Sequence, residues 1–91
     1  MKKIWKYTIL PGTDSILMPK GATILHVDEQ FNKVCLWVEI DPTPALPKIE
    51  RFFEVFGTGQ RIYEDMGVER NYLGTVKLEA GALIFHVYER F

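Results

Sequence analysis

The chain has 91 residues, of which 47% are hydrophobic and 13% aromatic, and its formal net charge is −1. That length suits a single domain spanning residues 1–91, and the absence of a basic run argues against a duplex nucleic-acid partner. The only cysteine, Cys35, cannot form an intramolecular disulfide, and no apolar run is long enough for a membrane-spanning helix. We therefore expect a soluble, intracellular protein.

Alternating side chains predict a first strand over about residues 3–10, followed by a turn cluster at 11–15. Residues 16–18 predict a short strand, and Pro19 excludes that strand from the centre of a sheet because proline has no N–H to donate. The next strand covers 22–29, and a hairpin turn at 30–33 leads to its partner at 34–40. Three prolines between residues 41 and 47 predict an extended crossover.

The segment 48–56 fits two structures. Its apolar residues Ile49, Phe52, Phe53 and Phe56 have helical spacing, and the same aromatic and β-branched content suits a strand. We favour a strand, with a glycine turn at 57–59 and a returning arm at 60–63. A polar loop at 64–71 and strands at 72–78 and 83–89, with a turn at 79–81, complete the chain.

About seven short strands with frequent turns predict an all-β fold, either a compact sandwich or a small barrel. A short helix near 48–56 is the remaining alternative.

A nine-residue segment occurs nearly twice. GATILHVDE (21–29) returns as GALIFHVYE (81–89), with six of nine positions identical and a histidine, His26 or His86, at the same place. Each copy begins with glycine at the exit of a turn, where a positive φ would require that residue. We expect two equivalent hairpins related by a pseudo-twofold axis.

Several short motifs follow one another in a distinctive order over nearly the whole chain: WKY (5–7), MPKGA (18–22), ILHV (24–27), LW (36–37), FGTG (56–59), LGT (73–75) and FHVYE (85–89). The pattern resembles a family of small proteins of unknown function from tailed bacteriophages and prophages. That resemblance implies a phage protein in the cytoplasm of the host bacterium, and it brings no catalytic motif.

The glycine turn and the aromatic residues are the candidate ligand-binding elements. Successive N–H groups of such a turn can point at an anion, and nearby arginines can add charged donors. Exposed aromatic rings can stack on a base. The alternative is a plain turn with core aromatics and solvated arginines. The candidate ligand-binding residues are Trp5, Tyr7, Trp37, Arg51, Gly57, Thr58, Gly59, Arg61 and Arg70, and Phe53 is a further stacking candidate.

The two histidines do not match a known catalytic motif. Two-histidine phosphoesterases need a hydroxyl residue two positions after each histidine, where this chain has Asp28 and Tyr88. We expect both histidines to be structural, each paired with a backbone carbonyl or a carboxylate. Cys35 lies in an apolar run and is expected to be buried and inert. The pattern predicts neither a metal site nor a cofactor.

The functional expectation is a non-enzymatic phage protein that binds a small host ligand. Its most specific form is the sequestration of a host immune nucleotide, by analogy with other small phage proteins. The alternatives are a protein-binding module that inhibits a host protein, and a minor virion or assembly component. A short, aromatic-rich chain also predicts a homo-oligomer, with the terminal Phe91 packed on a neighbouring subunit.

Overall fold

The computed structural model describes residues 1–10, 12, 15–63 and 67–91. Seven strands follow in chain order: β1 (Lys3–Ile9), β2 (Ser15–Pro19), β3 (Thr23–Gln30), β4 (Lys33–Ile40), β5 (Lys48–Gly57), β6 (Arg70–Leu78) and β7 (Leu83–Arg90). A short 3-10 turn, Glu79–Gly81, joins β6 to β7. Parts of the predicted turn at 11–15 and of the predicted loop at 64–71 lie outside the described residues. Within those residues no helix is long and apolar enough to cross a membrane.

The strands form two antiparallel sheets, a three-stranded sheet of order β1-β4-β3 and a four-stranded sheet of order β2-β5-β7-β6. The sheets pack face to face, and we call the face that each turns toward the other its inner face. The core between them contains Ile9, Met18, Val27, Val34, Leu36, Val38, Ile40, Phe53, Val76 and Val87. The predicted all-β sandwich is confirmed, and the sheets do not close into a barrel.

Strand β4 shows why the chain folds this way. Alternate residues from Val34 to Ile40 are buried on its inner face, as expected for a central strand that covers a core. Cys35, on the other face, is also buried, with its Sγ 3.8 Å from the hydroxyl oxygen of Thr8. The prediction of a buried thiol is confirmed.

The ambiguous segment 48–56 is a strand. β5 pairs with β2 on one side and β7 on the other, which places Phe53 in the core, 2% exposed, and turns Phe52 and Phe56 outward. Pairing on both sides outweighs the helical spacing of its apolar residues. The predicted returning arm is wrong, because residues 60–63 form no strand and β7 takes the place beside β5.

The repeat is only partly structural. Gly21 and Gly81 have φ values of +82° and +92°, which confirms the need for glycine at both turns. Val27 and Val87 are both buried. The prediction of two equivalent hairpins is wrong, however, because β3 is an edge strand of one sheet and β7 is an inner strand of the other. The preceding strands differ too, since β6 pairs with β7 whereas β2 pairs with β5 rather than β3.

One side of the sandwich is closed. At the tips of the hairpins Asn32 Nδ2 donates to Glu79 Oε1 at 2.5 Å, and the Glu79 N–H donates to Asn32 Oδ1 at 2.8 Å. Gly74 of β6 lies against Val27 of β3 so closely that a Cβ on the glycine would be 3.4 Å from the valine Cβ. The edges β3 and β6 therefore meet, whereas β1 and β2 border the open side.

The turn between β3 and β4 holds a bulky residue in an unfavourable backbone conformation. Phe31 and Asn32 have φ values of +53° and +59°, as in a type I′ hairpin turn, which favours asparagine and glycine. Phe31 is 81% exposed. We expect Phe31→Asn to raise the free energy of unfolding by about 0.5–1 kcal/mol, measured by urea denaturation.

Phe91→Asn is the matched control, because Phe91 is also exposed and is not among the residues with positive φ. Equal effects of the two substitutions would show that loss of an exposed ring, and not backbone strain, determines the change.

Candidate functional site

The predicted ligand-binding residues do not form one site. Trp5 and Tyr7 line a cleft on the open side, and Trp37 lies on the outer face of the three-stranded sheet. Arg51 lies on the inner face of the four-stranded sheet, in the core region. Gly57 ends β5 opposite Phe85, and Arg70 lies on the outer face of the same sheet. The exposed segment after β5 contains Thr58, Gly59 and Arg61.

The open-side cleft lies between β1 and β2, beside the proline-rich crossover, and has a volume of about 410 Å³. Trp5 and Tyr7 face into it because they lie opposite Val38 and Leu36 on the inner face of the sheet. Half of Trp5 remains exposed. The described residues around the cleft are Lys3, Trp5, Tyr7, Leu17, Pro19, Ile40, Asp41, Pro42, Thr43, Pro44, Leu46 and Lys48.

Charged groups flank the aromatic rings of this cleft. The Lys3 ammonium lies 4.6 Å from the centroid of the Trp5 ring, and Lys48 enters from the start of β5. The Asp41 carboxylate accepts hydrogen bonds from the hydroxyl of Thr43 at 2.5 Å and its N–H at 3.0 Å. These bonds lower the pKa of Asp41 below its usual range, so the group stays ionised at neutral pH.

Tyr7 supplies a neutral donor to the same cleft. Burial raises the pKa of its phenol, since a low-dielectric environment disfavours the phenolate. The hydroxyl therefore keeps its proton at neutral pH and can donate a hydrogen bond.

Two lysines of the cleft were not predicted. Lys3 precedes Trp5 and Tyr7 at the strand period of two, so its place on their face could have been inferred from the sequence. The place of Lys48 could not be inferred from the sequence, because the crossover that brings it to the cleft has no regular periodicity.

Trp37 cannot share a ligand with Trp5, because it pairs with Lys6 and His26 on the outer face of its sheet. Its ring centroid is 6.1 Å from that of His26, and His26 Nε2 is 3.3 Å from Asp28 Oδ2. The carboxylate partner predicted for His26 is confirmed.

Arg51 is engaged in a largely buried ion pair, in which its own side chain is 22% exposed. Its Nε and Nη2 donate to the Glu89 carboxylate at 2.6 and 2.7 Å, and its Nη1 donates to the Ala22 carbonyl at 2.6 Å. Glu89 is 4% exposed. Arg51 and Arg70 lie on opposite faces of their sheet, so the three arginines do not converge on one anion.

The glycine turn uses its backbone donors within the chain. The Gly57 N–H donates to Gln60 Oε1, the Thr58 N–H to the Ile84 carbonyl, and the Gln60 N–H to the Gly57 carbonyl. The turn therefore presents no row of inward N–H groups to an anion, and its remaining candidate donors are the Gly59 N–H and the Thr58 hydroxyl.

That hydroxyl belongs to a polar network on the outer face of the four-stranded sheet. Thr58 Oγ1 is 2.8 Å from His86 Nε2, and His86 Nδ1 is 3.0 Å from Thr75 Oγ1, which in turn contacts the hydroxyl of Tyr72. A neutral imidazole has one donor and one acceptor nitrogen, so two hydroxyls satisfy it. His86 therefore pairs with hydroxyls, not with the carbonyl or carboxylate that we predicted.

The same face carries exposed and half-buried rings, and we call it the aromatic face: Phe52, Phe56, Tyr72 and Tyr88. Tyr88 packs edge to face against Phe56 and Tyr72, at centroid distances of 5.8 and 5.5 Å. Arg70 lies 5.9 Å from the Phe56 ring and pairs with Glu54 at 2.7 Å. Sequence reasoning placed Arg70 in a ligand site but did not predict its acidic partner.

A second cleft, of about 470 Å³, lies at the other end of the sandwich. Its walls are mainly aliphatic, as in Ile9, Val55 and Leu78, and its rim groups Asn32 and Glu79 are bonded to each other. The open-side cleft is the better candidate site, because it places aromatic rings beside ammonium groups.

A family model described as a domain of unknown function, DUF7352, matches residues 1–91. The chain belongs to this family. No curated protein and no solved structure matches it. Three of the motifs quoted above, FGTG, LGT and FHVYE, meet at the polar network of Thr58, Thr75 and His86 in this family member. The family description assigns no activity, so the function must be inferred from the clefts and faces described above.

The ion pair of Arg51 gives a direct test of its structural role. We expect Glu89→Gln to lower the free energy of unfolding by about 2–4 kcal/mol, because it leaves the Arg51 charge buried without a counter-charge. Urea denaturation monitored by tryptophan fluorescence measures this change.

Glu39→Gln is the control, since the Lys2–Glu39 pair is 3.4 Å apart and its side chains are 64% and 39% exposed. We expect a loss of at most about 0.5 kcal/mol there. If Glu89→Gln were as mild as this control, the structural role of Arg51 would be refuted.

Proposed function

We propose that this protein is a non-enzymatic binding protein that holds a small anionic ligand with a planar ring, such as a nucleotide, in the open-side cleft. The observation that supports it is the placement of Trp5, Tyr7, Lys3 and Lys48 around one cleft. A ring would stack on the half-exposed indole, and phosphate groups would approach the two ammonium groups.

The size and chemistry of the cleft support this ligand class. Its volume of about 410 Å³ lies within the range of small-molecule sites. The ionised Asp41 would accept hydrogen bonds from ligand hydroxyl or amino groups, and the Tyr7 hydroxyl would donate one. These groups bind and orient a ligand, and the proposal involves no bond cleavage.

In biological terms the proposal is sequestration. The resemblance to small phage and prophage proteins supports a host bacterial cytoplasm as the setting. The immune nucleotide is proposed as the ligand by analogy with other small phage proteins that sequester such signals. We extend the proposal to a homo-oligomer, because fifteen large hydrophobic side chains are exposed among the described residues, including Phe91 at 61%.

The test is a titration of the purified protein with ADP-ribose and with cyclic dinucleotides, in which tryptophan fluorescence and isothermal titration calorimetry measure binding. We expect Trp5→Ala to weaken binding at least about fivefold, because stacking on one ring contributes roughly 1–3 kcal/mol. Lys48→Ala should weaken the binding of phosphate-bearing ligands and reduce its salt dependence.

Trp37→Ala is the matched control, because Trp37 lies on the opposite face of the sheet. This substitution should leave the affinity for the nucleotide unchanged. Recovery of the nucleotide intact after denaturation would support sequestration. Binding that survives Trp5→Ala and is lost with Trp37→Ala would refute the cleft.

A protein-binding module is the second candidate, and the aromatic face is the observation that favours it. Exposed Tyr72 and Phe52 lie there beside arginines, a composition enriched in protein interfaces. Affinity purification of a host protein that depends on Tyr72 would support this function.

A further inference from the structure

The two sheets have four edge strands, and three of them are protected against pairing with another chain. β3 and β6 pack against each other, and each contains an irregularity in its register, at Leu25 and Leu73. β2 has five residues and ends in Pro19, which has no N–H to donate. Packing, bulges, short length, proline and charged side chains, above all lysine, are the usual means of blocking a sheet edge.

Of these protections, the fourth edge, β1, has only lysine side chains in the part of the chain that the structure describes. Its seven residues pair with β4 in continuous register and contain no proline. The other edge of the strand has no strand partner. Its first half is exposed, with Ile4 at 60% and Trp5 at 50%. Backbone groups and apolar side chains are thus both accessible, as in sheets that bind a peptide by adding a strand.

The charge of this edge selects the occupant. Lys2, Lys3 and Lys6 lie within five successive positions, and among the described residues only Lys2 of the three forms an ion pair, with Glu39 at 3.4 Å. Lys6 contacts the neutral Gln30 side chain. A second copy of the chain would bring like charges together, because antiparallel self-pairing centred on Ile4 sets Lys2 opposite Lys6 on the outer face. Like charges directly opposite each other destabilise a strand pair.

We propose that the free edge of β1 binds an extended acidic segment of another protein, which adds a fourth strand to the three-stranded sheet. Backbone hydrogen bonds to β1 would supply affinity, and carboxylates at alternate positions of the segment would share one face and meet Lys2 and Lys6 on the outer face of the sheet. The two proposals can be tested separately, because Lys3 and Trp5 line the open-side cleft whereas Lys6 does not.

The experiment uses the full chain and a synthetic peptide, acetyl-Glu-Val-Glu-Val-Glu-Val-Glu-amide, with its lysine counterpart as a charge control. We expect NMR shift changes at the amides of Lys3–Ile9 and slower hydrogen exchange there with the acidic peptide alone. Methylation of the peptide nitrogens at alternate residues should abolish binding for one set of positions and spare it for the other, since only one edge of an added strand pairs with β1.

Charge-reversal variants complete the test. Lys6→Glu should weaken binding of the acidic peptide about fivefold or more and leave nucleotide affinity unchanged. Lys77→Glu is the matched control, because Lys77 is an exposed lysine on β6, and it should have no effect. Equal binding of the lysine peptide, shift changes confined to the aromatic face, or no binding of the acidic peptide at millimolar concentration would each overturn the proposal.

Discussion

The ion pair of Arg51 and Glu89 is the interaction on which the arrangement of the two sheets depends. The Arg51 guanidinium lies on the inner face of β5, and the Glu89 carboxylate of β7 supplies its counter-charge. Its third nitrogen donates a hydrogen bond to the Ala22 carbonyl, just before β3. One side chain thereby connects both sheets. Because a buried guanidinium tolerates few alternative geometries, this contact specifies how β3 enters the sandwich.

The position at which β3 enters the sandwich makes one side of the molecule closed and the other open. β3 is positioned where it meets β6, and the Asn32–Glu79 bonds join the hairpin tips on the same side. The opposite edges, β1 and β2, are left apart, and the proline-rich crossover passes beside the gap. The candidate site is therefore a consequence of asymmetric closure, since rings that would be core residues in a symmetric sandwich border a cleft here.

Local chemistry made much of the fold predictable from the sequence. Pro19 at a sheet edge, glycine at two positive-φ turns and a buried Cys35 all follow from properties of single residues. Strand order did not follow, because it depends on distant pairing. The repeat predicted equal surroundings for its two copies. One copy is nevertheless an edge strand and the other a central strand, because each copy buries only one valine and that requirement is met in either position.

The candidate site was predictable only where its residues share a strand. Trp5 and Tyr7 were identified together and lie together, whereas Trp37 was grouped with them and lies on the other face. Arg51 was taken for a ligand residue because its partner Glu89 is 38 positions away in the sequence. Pairings over such separations depend on topology, which periodicity alone does not contain.

The extra residue in β6 has a consequence for how this fold can change over evolution. Tyr72 faces outward opposite Tyr88, and after the register shift Thr75 faces outward opposite His86. Deleting one residue between them would turn either the tyrosine or the threonine toward the core and separate the hydroxyl chain from the imidazole. Length variation at this point is therefore coupled to the surface chemistry of the sheet, and related chains that keep the network should keep the residue count.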